Sequence, residues 1–219
     1  MVTEFEGASR VPLATWPTPL ERTPRLARAL GLGEDDLWVK RDDLIGLGAG
    51  GNKVRKLEWL VGTALARGAT TLVTSGAGQS NHARLTAAAG ARLGLDVVLV
   101  LTGDASAAAS GNLALDGLLG ARVVRVGERT LSEVDEMVRE VADDLRAAGS
   151  TPEVIPLGGS SAVGARGYVD AGAELLAQLP DLDTVVVAVG SGGTMAGLIH
   201  ALGPRRVLGV DCGAIPGCC

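Results

Sequence analysis

The stretch that determines the fold is Thr71-Leu-Val-Thr-Ser-Gly-Ala-Gly-Gln-Ser-Asn-His-Ala-Arg84. Its first five residues, 71–75, form a short apolar run that predicts a buried strand, and a glycine-rich turn follows. An alanine-rich helix is predicted over Asn81–Leu93. A strand that passes through a glycine turn into a helix is the unit from which α/β folds with parallel sheets are built.

The same alternation of short apolar runs and longer helical patterns extends along most of the chain. It predicts six more strands, at 37–40, 97–102, 123–126, 154–156, 184–189 and 206–210. It predicts five more helices, at 52–67, 107–119, 131–148, 162–179 and 194–202. The fold class expected from the sequence is therefore α/β, with open parallel sheets and flanking helices. Ligand sites of such sheets lie in the turns after the carboxyl ends of the strands.

The composition excludes several classes of partner. The net charge is −5 and the sequence pI is about 5.1, so neither a nucleic acid nor an anionic membrane is an expected partner. No stretch of about 18 uninterrupted apolar residues and no signal peptide is visible, and a cytoplasmic location is expected. The three cysteines, Cys212, Cys218 and Cys219, have the spacing of neither a disulfide framework nor a metal site.

Lysine usage gives the sharpest chemical signal. Of the 20 basic residues only Lys40, Lys53 and Lys56 are lysines, and all three fall in one short stretch. Arginine cannot replace lysine where an amine must lose its proton and form a Schiff base. Lys53 follows a glycine turn at the predicted start of a helix, where the helix dipole and burial would both lower its pKa. The alternative is that the three lysines cluster by chance, or that Lys53 and Lys56 are solvated.

A second signal is a glycine-rich turn between a predicted strand and a predicted helix. Successive backbone N–H groups at a helix start form an anion-binding nest, and a threonine hydroxyl adds a donor. The turn lacks the lysine of a Walker loop, and such turns also occur for packing reasons alone. Its residues are Gly190, Ser191, Gly192, Gly193 and Thr194.

Two further turns carry polar side chains. The helix after the strand at 71–75 begins with Ser80, Asn81 and His82, which suit a carboxylate or a cofactor hydroxyl. The alternative is a simple helix cap, since serine and asparagine are favoured there. The turn at 158–161 is of the same kind and equally ambiguous.

Together these signals predict a cofactor that carries both an aldehyde and a phosphate, which is pyridoxal 5'-phosphate. Lys53 would react with the aldehyde and the glycine turns would hold the phosphate. A nucleotide-binding Rossmann-like module is an alternative that explains the Gly190 turn, but it gives Lys53 no role.

The motifs also resemble, in order and spacing, the family of D-cysteine desulfhydrases and 1-aminocyclopropane-1-carboxylate deaminases. These are fold-type-II pyridoxal-phosphate enzymes of the tryptophan-synthase β-like class. The strings that carry the resemblance are Lys40-Arg-Asp-Asp43, Gly50-Gly-Asn-Lys-Val-Arg-Lys-Leu-Glu58, Gln79-Ser-Asn-His-Ala-Arg84, Ile155-Pro-Leu-Gly-Gly-Ser160, Gly164-Ala-Arg-Gly-Tyr168 and Gly190-Ser-Gly-Gly-Thr194.

The resemblance implies a role for each matching residue. Lys53 would bind the cofactor aldehyde and move the substrate proton, Asn81 would lie beside the ring hydroxyl, and Lys56 would be a second phosphate contact. Ser80, as a second catalytic residue, would bind the substrate carboxylate together with Asn81 and His82. The Gly190 turn would cradle the phosphate.

The resemblance also implies a two-domain architecture and a reaction. A smaller domain at 55–150 would be inserted in a larger, discontinuous one at 1–54 and 151–219, with the C-terminal part of the larger domain missing. The expected substrate is a small amino acid such as D-cysteine, converted by β-elimination to pyruvate, ammonia and sulfide. 1-Aminocyclopropane-1-carboxylate deamination, L-cysteate sulfo-lysis and an inactive fragment are alternatives, and a homodimer is left open. His82 favours the desulfhydrases, because the deaminases tend to carry glutamine at this position.

Overall fold

The computed structural model describes residues 7–104 and 108–212 of the 219-residue chain. Strands and helices alternate along most of this length. The strands are β1 (Leu20–Arg22), β2 (Trp38–Lys40), β3 (Thr71–Ala77), β4 (Asp96–Thr102), β5 (Arg122–Gly127), β6 (Pro152–Val154), β7 (Val185–Val189) and β8 (Val207–Asp211). The helices are α1 (Pro24–Ala29), α2 (Lys53–Ala66), α3 (Asn81–Leu93), α4 (Gly111–Leu118), α5 (Leu131–Ala147), α6 (Ala162–Gln178) and α7 (Gly193–Leu202).

Two parallel sheets carry the architecture. The larger one has the strand order β5-β4-β3-β6, and β7 pairs with β8 in the smaller one. The parallel arrangement expected from the sequence is found in both sheets. The strand predicted at 37–40 differs, because β2 pairs antiparallel with β1 in a separate ribbon. The predicted domain division with its boundary at 150/151 stays a prediction; β6 lies just past that boundary and pairs with β3.

Both faces of the larger sheet are buried, which explains its continuous apolar strands. One face packs against α2 and α3 through residues such as Leu57, Leu72 and Leu85. The other face packs against α5, with Val73 and Val138 in the contact. A third apolar cluster joins α6 and α7 to the β7–β8 sheet. The ends of the strands are therefore the places where a ligand can reach this sheet.

Local signals set the helix boundaries. Helix α3 begins after Ser80, whose Oγ accepts from the Ala83 backbone N–H at 3.2 Å, and ends at Gly94 in the left-handed conformation. Helix α5 begins with a capping box between Thr130 and Glu133. The helix predicted at 107–119 is observed as α4, and the first residue of that prediction lies outside the described residues.

Two further expectations from the sequence concern membranes and cysteines. Within residues 7–104 and 108–212, none of the helices has the length and apolar character that a membrane crossing requires. Cys212 is an exposed free thiol, whereas Cys218 and Cys219 lie outside the described residues.

Candidate active site

Lys53 is the first residue of α2 and is placed there by a glycine turn. Gly50 has φ +78°, and a Cβ at this position would lie 2.1 Å from the carbonyl oxygen of Asp43, so only glycine fits. The turn is closed by a hydrogen bond of 3.1 Å from the Gly51 backbone N–H to the Asp42 carbonyl. Burial lowers the pKa of the Lys53 amine. Lys53 therefore has a larger neutral, nucleophilic fraction than a solvated lysine.

Lys56 lies one turn further along the same helix and is almost completely buried, with 1% of its surface exposed. Its Nζ donates to the Gly158 carbonyl at 3.1 Å and to Ser160 Oγ at 3.5 Å. Burial and then the charge of Lys53 lower the pKa of Lys56 to about 7. A bound anion would stabilise this ammonium, because an opposite charge favours the protonated form.

Two glycine turns from distant parts of the sequence meet at Lys56. Ser160 Oγ and Ser191 Oγ are 2.6 Å apart and join the turn after β6 to the turn after β7. A Cβ on Gly193 would lie 2.6 Å from Ser160 Oγ and 3.0 Å from Lys56 Nζ. Gly193 is also the first residue of α7, so the free backbone N–H groups of that helix start beside the amine. The absence of a side chain at Gly193 keeps this position open.

A cavity of about 290 Å³ opens between these elements. Lys53, Lys56 and the Gly190 turn contribute to its wall, so the structure brings together the amines and the glycine turn that the sequence singled out. Its lining is Asn52, Lys53, Lys56, Ala188, Val189, Gly190, Ser191, Gly192, Thr194, Met195 and Cys212.

The residues of this cavity fit pyridoxal phosphate. The cofactor needs a primary amine of depressed pKa for its aldehyde and a set of N–H and hydroxyl donors for its phosphate. Lys53 meets the first need, and Lys56 with the start of α7 meets the second. The space that a Cβ on Gly193 would fill lies next to the Lys56 amine, where an anion would sit.

The first turn of α3 does not line this cavity. Ser80 caps α3 through its side chain, as the alternative interpretation of this turn predicted. Asn81 is exposed, and its Oδ1 accepts from Arg84 Nη2 at 3.1 Å and from Asn112 Nδ2 at 2.9 Å. Among the described residues, neither these two nor His82 lines the lysine cavity. Their assignment to the cofactor hydroxyl and substrate carboxylate stays a prediction.

His82 is buried beneath the helix start, with 3% of its surface exposed. Its Nε2 lies 2.9 Å from Thr74 Oγ1, which itself donates to the Ile155 carbonyl at 2.7 Å. Thr74 must therefore accept from the imidazole, which puts the ring proton on Nε2 and leaves the lone pair on Nδ1. That Nδ1 has no partner within the described part of the chain. Burial, followed by the charges of Lys53 and Lys56, lowers the pKa of His82 to about 3, so the ring is neutral.

A buried ion network behind α2 was not predicted from the sequence. Arg55 donates to Asp42 at 2.8 Å and to Glu174 at 3.0 Å, and the Tyr168 hydroxyl donates to Asp42 at 2.8 Å. Lys40 pairs with Glu174 in the same network. Three strings of the resemblance contain members of this network, Asp42, Arg55 and Tyr168, but no sequence signal pairs them with one another or with Glu174. The third lysine of the lysine cluster is thus a structural residue, whereas Lys53 and Lys56 line the cavity.

Comparison with known proteins agrees with this site. A family model described as pyridoxal-phosphate dependent enzyme matches residues 11–218. The chain is 49% identical over 195 residues to a Pyrococcus abyssi protein with the provisional name 1-aminocyclopropane-1-carboxylate deaminase, and the match covers 87% of this chain and 57% of the relative. It is 44% identical over 201 residues to a D-cysteine desulfhydrase of Salmonella typhi, and the match covers 88% of this chain and 60% of the relative.

Solved structures give the same result. The crystal structure of an ACC deaminase homologue superposes with a TM-score of 0.87 at 41% identity, covering 94% of this chain and 64% of that one. The crystal structure of a T.th. threonine deaminase gives a TM-score of 0.69 at 28% identity, covering 89% of this chain and 59% of that one. The expected fold-type-II α/β architecture is confirmed.

The chain spans 57% to 60% of the length of these two curated relatives. The family match extends over almost all of the described residues, and Lys53, Lys56 and the Gly190 turn line one cavity. The chain belongs to the pyridoxal-phosphate dependent enzyme family.

Proposed function

We propose that this chain binds pyridoxal phosphate between α2 and α7 and acts as a lyase or deaminase on a small amino acid. The observation that carries the proposal is the cavity in which two amines of lowered pKa, Lys53 and Lys56, lie against the Gly190 turn. When bound, the cofactor supplies an aldehyde that reacts with amines and a conjugated ring that accepts electrons released at the substrate α-carbon.

We assign some residues of the chain to binding the cofactor and substrate and one, Lys53, to proton transfer. Lys53 Nζ, with its lowered pKa, is the amine for the aldehyde and afterwards the base that takes the proton from the substrate Cα. Lys56 and the N–H groups of the Gly190 turn hold the phosphate. We assign Asn81 to the ring hydroxyl. We assign the first turn of α3, from Ser80 to His82, to the substrate carboxylate, because its free N–H groups suit an anion.

The reaction that we propose is β-elimination of D-cysteine with the net addition of one water. The substrate loses the Cα proton and the β-sulfur, and hydrolysis of the remaining unsaturated amine yields pyruvate, ammonia and hydrogen sulfide. The support for this substrate is the 44% identity to the Salmonella typhi desulfhydrase and the histidine at position 82. Deamination of 1-aminocyclopropane-1-carboxylate is the second candidate, supported by the 49% identity to the Pyrococcus abyssi protein.

A panel of amino acids, assayed for release of 2-oxo acids in the presence of pyridoxal phosphate, tests the proposed function. We expect D-cysteine to give pyruvate and sulfide, and Lys53→Ala to abolish both. Turnover of 1-aminocyclopropane-1-carboxylate but not of D-cysteine would shift the assignment to the deaminase. A protein that binds the cofactor yet converts no member of the panel would overturn the catalytic proposal and support the inactive alternative.

A further inference from the structure

Arg84 occupies a position between the two halves of the proposed site. It belongs to the first turns of α3 and is buried, with 4% of its surface exposed. Its Nη2 donates to the Gly50 carbonyl at 3.0 Å and to Asn81 Oδ1 at 3.1 Å. One guanidinium nitrogen thus joins the turn that precedes Lys53 to the residue assigned to the cofactor hydroxyl.

The guanidinium of Arg84 determines the orientation of the Asn81 side-chain amide. Arginine has only donors, so the atom of the Asn81 amide that faces it has to be the oxygen. Asn112 Nδ2 donates to the same oxygen at 2.9 Å. With both lone pairs of Oδ1 engaged, the Nδ2 donors of Asn81 are directed away from Arg84 and Asn112. The amide therefore presents hydrogen-bond donors on its exposed side.

Arg84 is itself held by the elements around it. The Gly50 carbonyl belongs to the turn that only glycine can form. Burial lowers the pKa of Arg84 and the charge of the buried Asp116 of α4 partly offsets this, but among the described residues neither carboxylate oxygen of Asp116 nor Nε or Nη1 of Arg84 has a hydrogen-bond partner. Helix α4 also carries Asn112, which bonds through its own backbone and side chain to Gln79. The orientation of Asn81 is thus fixed by contacts from the turn before α2 and from the start of α4.

We propose that Arg84 is a positioning residue that fixes the Asn81 amide so that Nδ2 donates to the ring hydroxyl of pyridoxal phosphate. This inference rests on the proposed function, in which Asn81 lies beside that hydroxyl. Arg84 touches neither the cofactor nor the substrate, and it acts on the cofactor hydroxyl only through Asn81. Its other contact, to the Gly50 carbonyl, is lost in Arg84→Met whether or not Asn81 is present, so the part of the effect that depends on the Asn81 side chain measures the positioning role.

A double-mutant cycle tests this dependence. The variants are Arg84→Met, Asn81→Ala and the double mutant, and the readouts are the Kd of pyridoxal phosphate and the pH midpoint of its visible absorption. Loss of one hydrogen bond to a charged group corresponds to about 10-fold in Kd for Asn81→Ala. We expect Arg84→Met alone to weaken binding by about 3-fold to 10-fold, and to shift the absorption midpoint in the same direction as Asn81→Ala does. In the Asn81→Ala background, Arg84→Met should change Kd by less than about 2-fold, because the side chain through which Arg84 acts on the hydroxyl is then absent.

Two controls keep the inference falsifiable. Circular dichroism reports whether Arg84→Met folds. If it does not, Arg84→Lys replaces it in the same cycle, because lysine keeps the positive charge but lacks the planar fork of donors. Independent, multiplicative effects in the cycle would overturn the positioning role while leaving the proposed function intact. A wild-type chain that takes up no cofactor would instead overturn the proposed function, and the positioning role with it.

Discussion

At the scale of single residues, burial sets the charge state of the groups around the cavity. Lys53, Lys56 and His82 all have lowered pKa values, and burial is the largest cause in each case. The charges of the two amines also keep the imidazole from gaining a proton, since like charges disfavour the protonated form. His82 is therefore neutral at pH 7, and any positive charge among these three groups is carried by the two lysines.

The buried His82 makes the protein sensitive to acid. Its pKa is about 3 in the folded chain and about 6.5 when unfolded, so only the unfolded state gains this proton as the pH falls below about 6.5. The stability contributed by the neutral ring is complete above about pH 6.5 and falls below it. Between about pH 7 and pH 5 this loss amounts to about 2 kcal/mol of the free energy of unfolding. We expect urea unfolding to show a loss between pH 7 and pH 5 that is about 2 kcal/mol larger in the wild type than in His82→Gln. Asp116, whose pKa burial raises to about 6, contributes with the opposite sign in both proteins, so the difference between them isolates His82.

The exposed His200 provides the matched control for this measurement. His200→Gln is expected to keep the loss seen in the wild type. Equal losses in His82→Gln and the wild type would contradict the account of the buried imidazole.

Side-chain partners of this kind could not be predicted from the sequence. The strings around Lys53 and the Gly190 turn indicated residues that do line the cavity, because a lysine at a helix start and a glycine-rich turn have local signatures. The partners of Arg55 and His82, by contrast, come from residues such as Glu174 and Thr74, and the pairing depends on tertiary packing. No periodicity or motif encodes such a contact.

At the scale of elements, the clearest predictions came from capped helices and buried strands. Helix α3 has the predicted bounds, Asn81–Leu93, because Ser80 caps its start and Gly94 ends it. The elements β1 and α1 were missed. They are only 3 and 6 residues long, and Leu26 in α1 is half exposed, so neither has an apolar pattern strong enough to detect.

The start of α7 gives a prediction at this scale. A methyl group on Gly193 would come within 3.0 Å of Lys56 Nζ and 2.6 Å of Ser160 Oγ, and would occupy the place where we put the phosphate. We expect Gly193→Ala to weaken pyridoxal-phosphate binding by at least about 10-fold, the equivalent of about 1.4 kcal/mol. Equilibrium dialysis measures this change.

Gly117 of α4 is the matched control, because a Cβ there meets nothing within 4 Å. Gly117→Ala should bind the cofactor as the wild type does. Unchanged affinity in Gly193→Ala, with the fold intact by circular dichroism, would show that the phosphate lies elsewhere.

At the scale of the whole molecule, the cavity forms where segments distant in sequence meet, and its wall comes mainly from the start of α2 and from the stretch that joins β7 to α7. The turn after β6 contacts both segments: Lys56 donates to the Gly158 carbonyl across 102 residues of sequence, and Ser160 Oγ lies 2.6 Å from Ser191 Oγ. The alternation of strands and helices predicted that the turns share one end of the strands. It could not predict that Ser160 and Ser191 touch, since this depends on how α2, α6 and α7 pack.

The central claim is that Lys53 is the amine that receives the cofactor aldehyde. The most direct measurement incubates the chain with pyridoxal phosphate, reduces it with borohydride and maps the pyridoxyl group by peptide mass spectrometry. We expect one label per chain, on Lys53, retained in Lys40→Arg and lost in Lys53→Arg. A label on Lys56 or Lys40, or a chain that carries no label after reduction, would contradict it.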